Sequence, residues 1–167
     1  SEMCIRDRAI ANHGTVVLGV AVNNSDETLP LTEAKFGLVT QGDNPDQFLP
    51  AYIGLKPNIS LLEDNAAGIG TMSIGNNDSV VRSLPTFDRV GETVIPSLGL
   101  ELARVAIGAS TFQIKASNAS SEEAFGAQTG INNIKLGPLT LPTTPDGQSW
   151  IYFAPTAELV TVSAWDV

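Results

Sequence analysis

The chain has 167 residues, with 18 Asp plus Glu against 9 Lys plus Arg and a formal charge of −9. That length suits one domain able to bury a core, and 43% hydrophobic against 16% charged residues excludes a disordered acidic tail or a coiled coil. The acid excess argues against nucleic acid, whose phosphates would repel this surface without any counterion release, and equally against docking on anionic lipid.

Position 1 is Ser where an initiating Met would stand. The opening Ser1-Glu2-Met3-Cys4-Ile5-Arg6-Asp7-Arg8 fits neither the helix nor the strand expected after it, and resembles the translated sequencing-adapter remnant found at the ends of fragmentary reading frames. Residues 1–8 are therefore set aside as a tag would be, and 9–167 are read as one partial domain, truncated at both ends. Setting them aside removes Cys4, the only cysteine, so no disulfide or thiol chemistry is expected. No apolar run approaches the ~20 residues that span a bilayer.

In chain order, residues 9–12 read as the tail of a helix that Gly14 ends. Residues 15–22 are apolar on both faces, as a central parallel strand is. Residues 23–57, interrupted by Pro30, Pro45, Pro50 and Pro57, are loop-like; they form a functional excursion or hold short strands such as 35–39. Asn58 or Ser60 caps a short helix over 59–67. Residues 69–74 are expected as a strand, Gly75-Asn76-Asn77-Asp78 as a turn, and 80–90 as the return strand of a hairpin.

Gly91-Glu92 then turns the chain into 93–95, and Pro96-Ser97 opens a helix to Ile107 that Gly108 closes. Its stripe Leu98, Leu102 and Val105 is expected to face the core, with Glu101 and Arg104 outward. Phe112, Ile114 and Ala116 alternate with polar residues as a half-buried strand. Ser120 and Glu123 form a capping box for a brief helix near Phe125. Residues 131–136, a Gly137-Pro138 turn and 139–141 read as a hairpin, Pro145-Asp146-Gly147 as a turn, and 150–153 as a strand. Ser163 and Asp166, at capping-box spacing, open a last helix. The predicted class is α/β: a mixed, mostly parallel sheet flanked by helices, with β-hairpins.

Candidate chemistry is sparse. His13, the only histidine, stands beside a helix end and reads as a helix-terminal imidazole rather than the base of a triad. With one His and no retained Cys, zinc lacks its usual ligands, and no metal or cofactor is expected. The acidic pairs Asp43 with Asp46, Glu63-Asp64 and Glu122-Glu123 fit solvated turn and helix-end roles better than acid/base catalysis. Gly68-x-Gly70 lacks the third glycine and the following helix of a dinucleotide loop. Four Asn-x-Ser sequences, at Asn23, Asn58, Asn77 and Asn118, carry meaning only in a eukaryotic secretory setting. Asp78 and Arg82 are the candidate ligand-binding residues. Asp78 ends a turn and Arg82 leaves it on a strand, where its guanidinium suits an anionic carboxylate; the competing reading is turn capping with a local ion pair.

Three segments in order resemble a known family: Ala66-Ala67-Gly68-Ile69-Gly70, Asp78-Ser79-Val80-Val81-Arg82-Ser83-Leu84-Pro85, and Pro96-Ser97-Leu98-Gly99-Leu100-Glu101-Leu102-Ala103-Arg104. They are similar to the second cyclase/histidine-kinase-associated sensory extracellular family (CHASE type 2). That family shows an Ala-Gly-rich strand entry, an Asp-Gly-Val-Val-Arg-x-x-Pro hairpin and a Pro-Ser-Leu-x-Leu helix start. Its later segments are matched by Gly130-Ile131-Asn132-Asn133-Ile134-Lys135-Leu136-Gly137, Leu141-Pro142-Thr143-Thr144, Asp146-Gly147, Ile151-Tyr152-Phe153 and Ser163-Ala164-Trp165-Asp166-Val167. Ser79 stands where the family has Gly and Thr144 where it has Asp, and 116–129 is longer than usual.

The resemblance implies an extracytoplasmic (periplasmic) sensor domain of a bacterial inner-membrane protein, non-catalytic itself. It would relay an unknown small-molecule or environmental signal to a cytoplasmic adenylate or guanylate cyclase, or alternatively to a histidine or Ser/Thr kinase. The whole protein would be membrane-embedded, with homodimerisation one arrangement open to it. Two readings from other classes compete: a fragment of a soluble α/β enzyme, and a structural domain without a ligand.

Overall fold

The computed structural model describes residues 2–25, 34–74, 80–119, 129–153 and 155. Helix α1 (Glu2–His13) ends at Gly14, whose positive φ of +72° and N–H bond to the Ile10 carbonyl (3.0 Å) close it. Strand β1 (Val17–Asn23) follows. The loop-like region holds β2 (Gly37–Gln41), a 3-10 turn at Pro45–Gln47, β3 (Ala51–Tyr52) and β4 (Gly54–Lys56), so short strands do occupy it. Helix α2 (Ser60–Asn65) leads into β5 (Gly68–Thr71). Strands β6 (Ser83–Pro85), β7 (Phe87–Val90) and β8 (Thr93–Pro96) precede helix α3 (Leu98–Ala106). Then come β9 (Thr111–Ala116), β10 (Ile131–Leu136), β11 (Leu139–Pro142) and β12 (Gln148–Trp150).

The result is mixed α/β, and among the described residues the strands form four small sheets ordered β4-β1-β5, β11-β10-β9-β2, β3-β7-β8 and β12-β6. β1 is the central strand its two-faced apolarity requires, parallel to β5 and antiparallel to β4. Parallel pairs also join β2 to β9 and β3 to β7, while the hairpins β7–β8 and β10–β11 are antiparallel. Gly91 (φ +59°) and Gly137 (φ +53°) supply the positive φ those two tight turns need. Among the described residues antiparallel pairings therefore outnumber parallel ones, since hairpins need only a turn where a parallel pair needs a crossover.

The main core lies between α3 and the β9–β10 ladder, where Phe112, Ile114, Ala116, Ile134 and Leu136 are fully buried, as the alternation predicts. Phe36 and Phe87 meet Phe112 edge to face, each with ring centroids 5.3 Å away.

Several expectations are corrected. The segment set aside as 1–8 is continuous with the helix after it, since α1 begins at Glu2; that helix lies beside α2, with Ile5 70% exposed. Among the described residues 69–74 does not pair with 80–90: β5 is buried at all four positions and pairs with β1, β6 pairs with β12, and β7 pairs with β3 and β8. The buried face of α3 differs from the expected one: Glu101 and Arg104 are buried and Leu102 is 48% exposed, while Leu98 and Val105 are half-buried. Helix α2 has no side-chain cap; Asn58 instead sends its side-chain amide to the Gly19 carbonyl (3.0 Å), and its backbone N–H goes to Glu63 Oε1 (2.8 Å). Among the described residues the strand expected at 150–153 lies at 148–150. The Gly75–Asp78 turn, the Ser120/Glu123 capping box with Phe125, and the Ser163/Asp166 helix start lie outside the described residues.

Candidate functional site

The N-terminal turn of α3 stands over β6, β11 and β12 and leaves a cavity of about 340 Å³ between them. Its floor is stitched by backbone: Ser97, the residue before α3, donates its N–H to the Thr86 carbonyl (2.8 Å), and Thr86 donates both N–H and hydroxyl to the Gly147 carbonyl (3.0 and 2.6 Å). Leu100 closes the bottom at 6% exposure, while Leu84, Leu139 and Trp150 stand at the mouth, 37–58% exposed. Gly99 faces the same space, with nothing within 4 Å of where a Cβ would sit.

The walls are mainly apolar, with hydroxyls from Thr86, Ser97, Thr140 and Ser149 and no charged side chain among the lining residues. Such a groove suits a small, neutral, largely apolar molecule oriented by hydroxyl contacts, and its volume falls in the range of ligand pockets. Four of the segments that carry the family resemblance meet here, contributing Leu84 and Pro85, Ser97, Gly99, Leu100 and Ala103, Leu141, and Ile151.

Of the two candidate ligand residues, Asp78 lies outside the described residues. Arg82 is exposed, and its carbonyl accepts the Ile151 N–H (2.8 Å), which sets its backbone at the groove's edge but not its side chain among the lining residues. His13 is exposed with Nδ1 2.8 Å from the Thr15 hydroxyl. Asp43, after β2, accepts from the side chain of Asn118, after β9 (2.9 Å). Glu63 departs from its expected solvated role, being 1% exposed and holding the Asn58 N–H; the small helix α2 buries its first-turn acid to satisfy that donor. Glu122-Glu123 lies outside the described residues. Gly68 and Gly70 allow α3 to lie on β5: a Cβ at Gly70 would come within 2.5 Å of the Leu98 Cα.

A second polar feature escaped the sequence reading. Asp88 on β7 is fully buried, and its Oδ2 accepts the hydroxyls of Thr71 and Ser73, each at 2.5 Å, while Oδ1 has no hydrogen-bond partner. Burial pushes its carboxyl above the usual carboxylate range, against the two hydroxyls, which favour the charged form. The half-buried Tyr52 phenol is raised as well, first by burial and then by the Asp88 charge, with a Ser73 hydrogen bond opposing both. The available signal was an acid inside a short strand whose two faces are both covered; alternation alone does not reveal that.

Among the described residues no group of three or more His, Cys, Asp or Glu could hold a metal ion, and no helix is long and apolar enough to cross a membrane. Compared with known proteins, the chain matches no family model, no curated protein and no solved structure.

Proposed function

We propose that the chain is the extracytoplasmic signal-input domain of a bacterial transmembrane signalling protein of the CHASE type 2 kind, with the α3 groove as its ligand site and a nucleotide cyclase as its output. The observation that carries this reading is convergence: four segments that resemble the family, far apart in sequence, line one cavity with no charged wall. An occupant would contact the start of α3 and strands β6, β11 and β12 together, so its binding would change how these elements pack on each other. That packing change is the signal handed on through membrane helices. A net charge of −9 suits a surface turned to water outside a membrane. The uncharged lining favours a neutral ligand over the anionic carboxylate that Arg82 suggested.

Two measurements test it. The intact reading frame is expected to show three hydrophobic segments of about 20 residues after Val167, followed by a cyclase or kinase domain; a continuous soluble chain overturns the reading. A thermal-shift screen of neutral metabolites on the chain is expected to yield stabilisers whose effect is lost in Gly99→Phe, which fills the groove from a position with open space around its Cβ. Stabilisers that act equally on Gly99→Phe overturn the groove assignment.

A further inference from the structure

The buried carboxyl of Asp88 lies where two sheets meet without a ladder between them. β5 belongs to the β4-β1-β5 sheet and β7 to the β3-β7-β8 sheet. The backbone link at this junction is the single parallel bridge Thr71–Ser97, and Thr71 Oγ1 also lies 3.4 Å from the Pro96 carbonyl. The side chains that close the junction are Thr71, the last residue of β5, and Ser73 two residues beyond it, both held by one oxygen of Asp88.

An ionised carboxylate has about four acceptor sites. Here one oxygen takes two hydroxyls and the other takes nothing, in a place where the residue has no solvent contact. A charge in that setting is expensive unless a cation faces it. Among the described residues the surroundings supply none. From β3 the facing titratable group is Tyr52, a neutral phenol. From β5 comes Thr71, from the segment after it Ser73, and from β8 the cross-strand partner Ile95. Arg89, next along β7, sends Nη1 to the Gly91 carbonyl (2.9 Å). The Glu101–Arg104 pair occupies the other end of β5, where Arg104 reaches the Ala67 carbonyl (2.8 Å).

We propose that Asp88 is a proton-operated latch: neutral, its carboxyl closes the junction of β5 with the β7–β8 hairpin, and ionised, it loosens that junction and the groove floor attached to it. The attachment is short. Thr86 lines the groove two residues before Asp88, and its carbonyl holds the Ser97 N–H at the start of α3. A shift of β7 therefore moves the wall on which α3 begins. Burial pushes the ionisation of the carboxyl above the usual carboxylate range. This goes beyond the sensor reading and stands whether or not the groove takes a ligand.

The sign of the effect on stability follows from the raised value. The folded state holds the proton to higher pH than the unfolded chain, so the contribution is fully present below the ordinary value near 3.8 and is lost as pH rises through the folded one. The test follows the 167-residue chain from pH 3 to pH 8 by heat denaturation, Trp150 fluorescence and carboxyl-carbon NMR, beside Asp88→Asn, which keeps the shape and cannot ionise. The wild type is expected to lose at most about 3–5 °C of Tm per pH unit across the transition. Its Trp150 emission should change with the same midpoint, and the Asp88 carbon should titrate above the ordinary range. Asp88→Asn should lack both pH responses, and Trp150→Phe should remove the emission change. An Asp88 carbon that titrates at or below the ordinary value, or an Asp88→Asn chain with the wild-type pH response, overturns the proposal. Should Asp88→Asn not fold, the NMR titration and the coincidence of its midpoint with that of Trp150 in the wild type decide alone.

Discussion

Arg104 grips Glu101 through two parallel hydrogen bonds, Nε to Oε2 at 2.9 Å and Nη2 to Oε1 at 2.7 Å, with both residues buried one turn apart on α3. The same guanidinium sends Nη2 to the Ala67 carbonyl (2.8 Å) and Nη1 to the Ala109 carbonyl (3.0 Å). One side chain thus neutralises a buried acid and ties α3 to the entry of β5 and to the turn before β9. Such a fork matches a carboxylate in a way that a lysine ammonium does not.

Arg104→Ala is therefore expected to destabilise the chain by about 3–5 kcal/mol, because it leaves the Glu101 charge buried and two carbonyls without their donor. Arg104→Lys should recover only part of that loss. The pair Glu101→Leu with Arg104→Met should lose much less than Arg104→Ala, since it removes both charges together. Urea denaturation of the variants measures this; equal losses for Arg104→Ala and the double variant would refute the role given to the pair.

Gly70 and Gly99 lie at opposite surfaces of the same helix–strand contact and predict opposite signs. A Cβ at Gly70 would sit 2.5 Å from the Leu98 Cα and 2.7 Å from its N, which are backbone atoms that only a shift of α3 can clear. Gly70→Ala should cost about 1–3 kcal/mol. Gly99 is within α3 with open space around it, so Gly99→Ala should stabilise by about 0.5–1 kcal/mol through helix propensity. Denaturant midpoints at unchanged slope read both.

What could be read from the sequence was local. The Phe112-Ile114-Ala116 alternation, the turns at Gly91 and Gly137, and the opening of α3 near Pro96-Ser97 each leave a signature within a few residues. The burial of Glu101 and Arg104 on α3 does not, because Leu98, Leu102 and Val105 form as good a stripe as any. What decides the face is Gly68, thirty-three residues upstream, where a Cβ would collide with the Glu101 carboxylate. The expected pairing of 69–74 with 80–90 gives way to other partners for the same kind of reason. A parallel pair such as β1–β5 is made across a long separation, and local turn chemistry carries no trace of it. Asp88 was hidden because its cover comes from three other strands.

The hydroxyls on Asp88 give a prediction with a pH signature. Both stabilise the charged form, so Thr71→Val should push the carboxyl further up. The stability lost on raising pH then continues to a higher pH than in the wild type. The substitution should destabilise on both sides of the carboxyl's transition, by about 1–3 kcal/mol more on the alkaline side, where a buried carboxylate has lost a donor. Urea denaturation on either side of the transition checks this, and a cost independent of pH would contradict it.

Tyr52 reports on the same cluster from the other side. Ionising its phenol is opposed first by burial and then by the nearby Asp88 charge, with the Ser73 hydrogen bond working the other way. Its phenolate absorbance, read in a Tyr152→Phe background that leaves one tyrosine, should therefore rise at a pH above the ordinary 10.0. Asp88→Asn removes the negative charge but not the burial, so the transition should move down and stop short of the ordinary value. Ser73→Ala should move it up. Because the folded chain holds the phenolic proton longer than the unfolded one, stability should fall as pH rises through this transition. A Tyr52 transition unmoved by Asp88→Asn would mean that the carboxyl carries no charge at that pH or does not face the phenol, and either result contradicts the arrangement of these two residues around Ser73.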